Sequence, residues 1–236
     1  MQSPLDEARH LAYPAFARVA IIAAPSSTRA VPTSIVALPI TASPEKPGTS
    51  ADPVQALRAA TAEQHALLDN QLPLAREGAG LDEYLQHLRV LHDWLLQIAP
   101  VLRQTHWANA YLDAVARDLA EGGIDPYSPS SAATQAHAGR APAPVDATYA
   151  MGVAYVVEGS QLGGRVLLRR LRDVGVPHSL RYLEGRGAAT GSHWTEFLTA
   201  LREALASPQA IACACDGARW AFDILLTRYR RLGLLP

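Results

Sequence analysis

Cysteine, lysine and phenylalanine are scarce in this chain of 236 residues, and each shortage narrows what the protein can be. Cys213 and Cys215 are the two cysteines. In a C-x-C pair within a helical run the side chains point to different faces, so they do not bridge one another. The paired spacing of a zinc site is absent as well. A disulfide scaffold is thereby excluded, and a reducing compartment, the cytoplasm, is expected. Lys46 is the single lysine, and the formal net charge is −1. No basic field points to nucleic acid. No apolar run approaches the roughly 20 residues that span a bilayer, so no membrane role is expected. Val19 to Ala24 is apolar but short, and Asp6 and Glu7 offset Arg9 and Arg18 ahead of it, unlike the basic start of a secretory signal.

What the chain has in quantity is alanine and leucine, within 49% hydrophobic residues. Both are strong helix formers, and with sparse β-branched residues the composition leans helical. Residues 1–50 are rich in Pro, Ala and Ser and read as a disordered leader. Residues 51–236 read as one domain of ordinary size. Asp52-Pro53 suits a helix start, with Asp at the cap and Pro at the first turn. From there Val54, Leu57, Thr61, Ala62, His65 and Leu68 keep one helical face. Asp82 is the expected cap of a second helix carrying Leu85, Leu88, Leu91, Leu95 and Ile98, which Pro100 bends or ends. A third helix is expected from about His106 to Leu119. Residues 122–145 lack periodicity and read as a long loop. Asp146 opens a helix that Gly175-Val176-Pro177 stops. Ser192 is expected to cap another helix, and Ser207-Pro208 starts the last. There is no alternating strand pattern, so the expected fold class is all-α, a single multi-helical bundle.

Two constellations carry chemistry. Arg58, Thr61, His65 and Asp69 are spaced by three, four and four residues and share one face of a helix. A neutral imidazole such as His65 is a common ligand of haem iron. Asp69, one turn on, is placed to accept a hydrogen bond from the other ring nitrogen, and Arg58 to pair with a propionate. The second constellation is Tyr155-Val156-Val157-Glu158-Gly159-Ser160-Gln161-Leu162-Gly163-Gly164-Arg165. Each glycine inside a helix costs about 1 kcal/mol relative to alanine. Gly159 and Gly163, one turn apart, let a flat or bulky group, or a second helix, approach the backbone.

In this order and at this distance the two constellations resemble the haem oxygenase family, over roughly residues 53–232. Leu57 to His65 is similar to the proximal-helix motif, in which the histidine holds the iron. Glu158 to Gly164 is similar to the distal helix, whose glycines lie over the haem. The resemblance implies haem (iron protoporphyrin IX) as substrate and cofactor, O2 as co-substrate, and ring opening to biliverdin with release of CO and ferrous iron. It places haem between a proximal and a distal helix. It implies His65 as the metal ligand, and Gly159, Ser160 and Gly163 as the residues shaping catalysis. Arg58, Thr61, Asp69, Tyr155, Gly164 and Phe222 are the implied haem contacts, and Trp194 and Leu198 fall at apolar positions of a later helix. Asp69 must be a weak partner of His65, since a strong carboxylate would push the imidazole towards imidazolate.

The chain departs from the mammalian pattern in two ways. Ser160 stands where those members carry an Asp that orders distal water. Thr195 and Thr199 stand at positions that are basic in those members and hold propionates. Electrons imply a partner, and Arg165, Arg169 and Arg172, with Arg228, Arg230 and Arg231, form a candidate docking patch for an acidic ferredoxin or flavodoxin. His87 and His92 read as surface or core-edge residues, and a monomer is the expected state. The alternatives are a haem carrier or sensor without turnover, and a non-haem enzyme of the same fold.

Overall fold

Asp52 accepts the Val54 N–H at 3.3 Å and Pro53 takes the first helical position, so helix α1 (Pro53–Ala60) begins where those residues predict. The computed structural model describes residues 52–102, 108–127 and 146–236. The leader, His10, His106, Trp107, His137 and most of the loop after Gly123 lie outside the described residues. Every regular element among the described residues is helical, in agreement with the expected all-α class.

The first helix is shorter than its periodicity suggests. The chain breaks at Thr61 (φ −117°, ψ 9°) before α2 (Ala62–Gln71) continues. The reason is local: the buried Thr61 hydroxyl donates to the Leu57 carbonyl at 2.8 Å, a back-bond that competes with regular helix geometry. Helix α3 (Leu81–Ile98) is capped by Gly80 rather than Asp82, and the Glu83 carboxylate accepts the Gly80 N–H at 2.8 Å. His87 and His92 of α3 are buried, which removes the surface alternative of the surface or core-edge reading. Helix α4 spans Ala108–Glu121.

Asp146 caps α5 (Ala147–Asp173) by accepting the Thr148 N–H at 2.6 Å. Gly175, at φ +73°, lets the Val176 N–H return to the Leu171 carbonyl at 3.0 Å and end the helix. A short α6 (Arg181–Glu184) follows, then α7 (Thr190–Ala204). Ser192 lies inside α7 and does not cap it; its hydroxyl donates to the Ala189 carbonyl at 3.0 Å. Ser207 accepts the Ala210 N–H at 3.2 Å and starts α8 (Pro208–Arg231). No described helix is long and apolar enough to cross a membrane.

The core forms where α5 crosses α8, backbone against backbone. A methyl group added at Gly152 would lie 1.8 Å from the Ala214 carbonyl oxygen, and one at Gly217 would lie 2.2 Å from that of Tyr149. Ala214, Ala218 and Ala221 of α8 are fully buried along the same stretch. Trp94 donates its indole N–H to the Ala221 carbonyl at 2.9 Å and ties α3 to α8. Asp118 of α4 joins three elements. It accepts the Tyr84 hydroxyl at 2.7 Å, the Tyr182 N–H at 2.9 Å and the Arg181 guanidinium at 2.9 Å. Asp118, Glu121 and His178 cluster closely, but Arg181, Ser179 and the Leu180 N–H already occupy their polar atoms. The cluster is a structural clasp. It holds Leu180 in a left-handed conformation (φ 54°) that a branched aliphatic residue otherwise avoids.

Candidate functional site

Helices α2, α3, α5 and α8, with contributions from α1, α6 and α7, enclose a cavity of about 380 Å³. This lies within the usual range for small-molecule sites, about 300–1,000 Å³. Arg58, His65, Asp69, Tyr155, Gly159, Ser160, Gly163, Gly164 and Phe222 all line it, so one space gathers residues that lie up to 164 positions apart.

His65 projects from α2 and meets the ring of Phe222 edge-on, with centroids 4.6 Å apart. Burial lowers the pKa of His65 and keeps its imidazole neutral. Arg58 reaches the hydroxyl of Tyr155. Burial raises that phenol's pKa, and the guanidinium partly offsets the rise. The two side chains thus place a fixed cation and a hydroxyl donor together on the cavity wall.

Two residues of the first constellation behave differently from expectation. Thr61 does not line the cavity, because it is fully buried and its hydroxyl is spent on the Leu57 carbonyl; this corrects its place among the haem contacts. Asp69 does line the cavity, but it makes no hydrogen bond to His65, and its Oδ1 is buried without a hydrogen-bond partner. Sharing a helix face sets two side chains side by side, without turning a carboxylate oxygen onto an imidazole nitrogen. Burial pushes the Asp69 carboxyl up to about 6.

In the same lining, α5 presents glycines. A methyl at Gly159 would meet Trp194 at 3.7 Å and one at Gly164 would meet Leu183 at 3.5 Å, both ordinary contacts. Helix packing therefore demands Gly152 but leaves room for a methyl at Gly159 and Gly164, both of which line the cavity. Ser160 donates its hydroxyl to the Val157 carbonyl at 2.7 Å and lies 3.4 Å from the Tyr182 hydroxyl. Behind this face Glu158 is buried. Its Oε2 accepts the Tyr111 hydroxyl at 3.1 Å and lies 3.0 Å from His193 Nε2.

Sequence reasoning missed His87, Tyr182 and Tyr229, all of which line the cavity. For His87 a signal was available: Tyr84, His87, Leu91 and Trp94 recur at helical spacing on the buried stripe of α3. The candidate docking patch also shrinks. Arg228 is 2% exposed and bonds Gln97 at 3.0 Å, so it belongs to the core. Arg165, Arg169 and Arg172 remain on the surface.

The chain matches the family described as "Heme oxygenase" over residues 52–229. A "Heme oxygenase" of Xanthomonas campestris pv. campestris (strain 8004) is 42% identical over 73 residues, which is 30% of this chain and 44% of that relative. The matched region thus spans less than half of the relative's length. Among solved structures, the NO- and CO-bound heme oxygenase of Neisseria meningitidis superposes with a TM-score of 0.60 at 24% identity. That match covers 79% of this chain and 94% of the other, and it shows a shared fold. With three quarters of its length matched, the chain belongs to the haem oxygenase family.

Proposed function

We propose that the protein is a haem oxygenase that opens haem to biliverdin, releasing CO and ferrous iron, with O2 and an external reductant. The observation that carries this reading is the cavity itself, whose lining brings together a neutral histidine and bare glycine backbone. Bound haem would supply the redox-active iron and the carbon that is oxidised.

The residues present fit that group. His65 offers a nitrogen lone pair at neutral pH because burial disfavours its charged form. Phe222 packs against the ring edge of His65 and fixes its orientation. Arg58 and Tyr155 suit a carboxylate, the cation by charge and the phenol by donating a hydrogen bond. Asp69, unbonded to His65 and with its carboxyl shifted up to about 6, leaves the imidazole undisturbed. Gly159, Gly163 and Gly164 leave room for a flat ligand against α5. The hydroxyls of Ser160 and Tyr182 are close enough to share a water, which suits proton delivery to this face. Arg165, Arg169 and Arg172 form the face on which an acidic ferredoxin or flavodoxin would dock, and a salt-insensitive rate of reduction would count against that surface. A cytoplasmic monomer is the setting that fits the two free cysteines and the near-neutral charge.

The role of His65 is testable by replacement and rescue. His65→Ala should weaken haemin binding roughly a hundredfold, equivalent to about 2.7 kcal/mol, and lose the sharp Soret band. Added imidazole should restore the band by filling the vacated space. A His65→Ala protein that titrates with the wild-type spectrum and affinity would remove His65 as the ligand.

A further inference from the structure

His87 and Tyr229 sit on different helices, 142 residues apart, and meet at the cavity. His87 Nδ1 and the Tyr229 hydroxyl are hydrogen-bonded, and the two rings stack with centroids 6.1 Å apart at 26°. Leu91, Leu225 and Trp94 line the same cavity, and the Tyr182 phenol lies near enough to Tyr229 to act on it electrostatically. Both residues are buried, and a buried polar pair is costly unless its hydrogen bonds are satisfied.

That requirement selects the tautomer. Among the described residues, His87 is the one hydrogen-bond partner of the Tyr229 hydroxyl, which is buried. If Nδ1 carried the proton and donated it, the phenol proton would be left buried and unpaired. If the phenol donates to Nδ1, both atoms are satisfied and the imidazole proton must reside on Nε2. Nε2 has no partner among the described residues, yet it is not among the fully occluded polar atoms. Its N–H therefore opens into the cavity. Two other side chains of the lining spend their donors on backbone: Trp94 bonds the Ala221 carbonyl and Ser160 bonds the Val157 carbonyl.

We propose that His87, oriented by Tyr229, presents a neutral N–H donor to the cavity and recognises an acceptor oxygen on the molecule bound there. Burial pushes the His87 pKa down to about 4, so the ring donates this hydrogen bond without carrying charge at neutral pH. The inference rests on the haem reading, and it adds a specificity-determining residue to it. Intact haem carries acceptor oxygens on its propionates, to which Arg58 and Tyr155 are suited, and its methyl and vinyl edge offers none. One source of acceptor oxygen is a small ligand or water on the iron. The other is the pair of carbonyl oxygens that appear when the tetrapyrrole is opened. Aimed at the opened ring, such a donor distinguishes what is formed from what enters; aimed at a ligand on the iron, it favours the ligated state.

The test compares wild type with Tyr229→Phe and with the double variant His87→Phe/Tyr229→Phe. The double variant replaces both partners by apolar rings of similar shape and so keeps the packing. Three affinities are measured: haemin and biliverdin for the apo-protein, and fluoride for the haemin-loaded protein. The double variant should lower either fluoride affinity or the ratio of biliverdin to haemin affinity by roughly five- to tenfold. A change in fluoride alone assigns the acceptor to the iron side, and a change in the biliverdin ratio assigns it to the opened ring. Both quantities within twofold of wild type would overturn the inference. A separate readout needs no ligand: 15N shifts of the apo-protein should show His87 protonated at Nε2, and Tyr229→Phe should relax that preference. Protonation at Nδ1 in the wild type would overturn it. If haemin fails to bind the wild type at all, the haem reading fails, while the 15N result still decides the orientation of the pair.

Discussion

Gly152→Ala should cost the fold about 3 kcal/mol or more, although it adds a single methyl group. For a domain of this size that corresponds to a fall in melting temperature of roughly 6–12 °C. The added carbon would sit 1.8 Å from the Ala214 carbonyl oxygen, so α5 and α8 must separate along the contact that organises the core. Neither side can yield cheaply, because the obstructing atom belongs to helical backbone. Gly159→Ala on the same helix is the control. Its methyl meets Trp194 at an ordinary 3.7 Å, and the helix gains up to about 1 kcal/mol of propensity. Its melting temperature should equal or exceed that of wild type. If both variants melted alike, the division of the glycines into packing and cavity positions would be wrong.

The second large effect is expected at Gly163. Gly163→Leu adds a branched side chain at a position that lines the same cavity as His65. Haemin should still bind, because the His65 side is untouched, but biliverdin formation should fall at least about tenfold, a barrier increase of roughly 1.4 kcal/mol. Absorption spectra separate the two outcomes, since binding is read at the Soret band and product in the red. A Gly163→Leu protein that makes biliverdin at the wild-type rate would show that bare backbone at this position is not required.

These two glycine positions also mark how far the sequence could be read. The pattern 159/163 stood out because the glycines fall one turn apart beside a recognisable motif. Gly152 and Gly217 gave no such signal, since their meaning lies in a crossing of helices distant in sequence. Helix starts were legible wherever a side chain caps its own helix, as at Asp52, Asp146 and Ser207. They were misread at Asp82 and Ser192, where equally good capping residues fall inside the helix. The break at Thr61 follows from a side-chain back-bond that spacing alone does not announce. The short α6 depends on Asp118 and His178 holding a left-handed Leu180, a purely tertiary arrangement. In the site, His65, Phe222 and the α5 glycines reach one cavity, as their motifs suggest. Tyr229 and Tyr182 could not be foreseen, because nothing local distinguishes a cavity tyrosine from a core one. Arg228 shows the converse, an arginine in a basic cluster whose side chain turns into the core.

The most direct test of the central claim is an absorption time course of the purified protein with one equivalent of haemin, followed by ascorbate in air. The account predicts a sharp Soret band that decays while a broad red biliverdin band rises. No Soret band beyond that of free haemin would contradict it at His65, and a stable band without decay would leave a haem carrier in place of an enzyme.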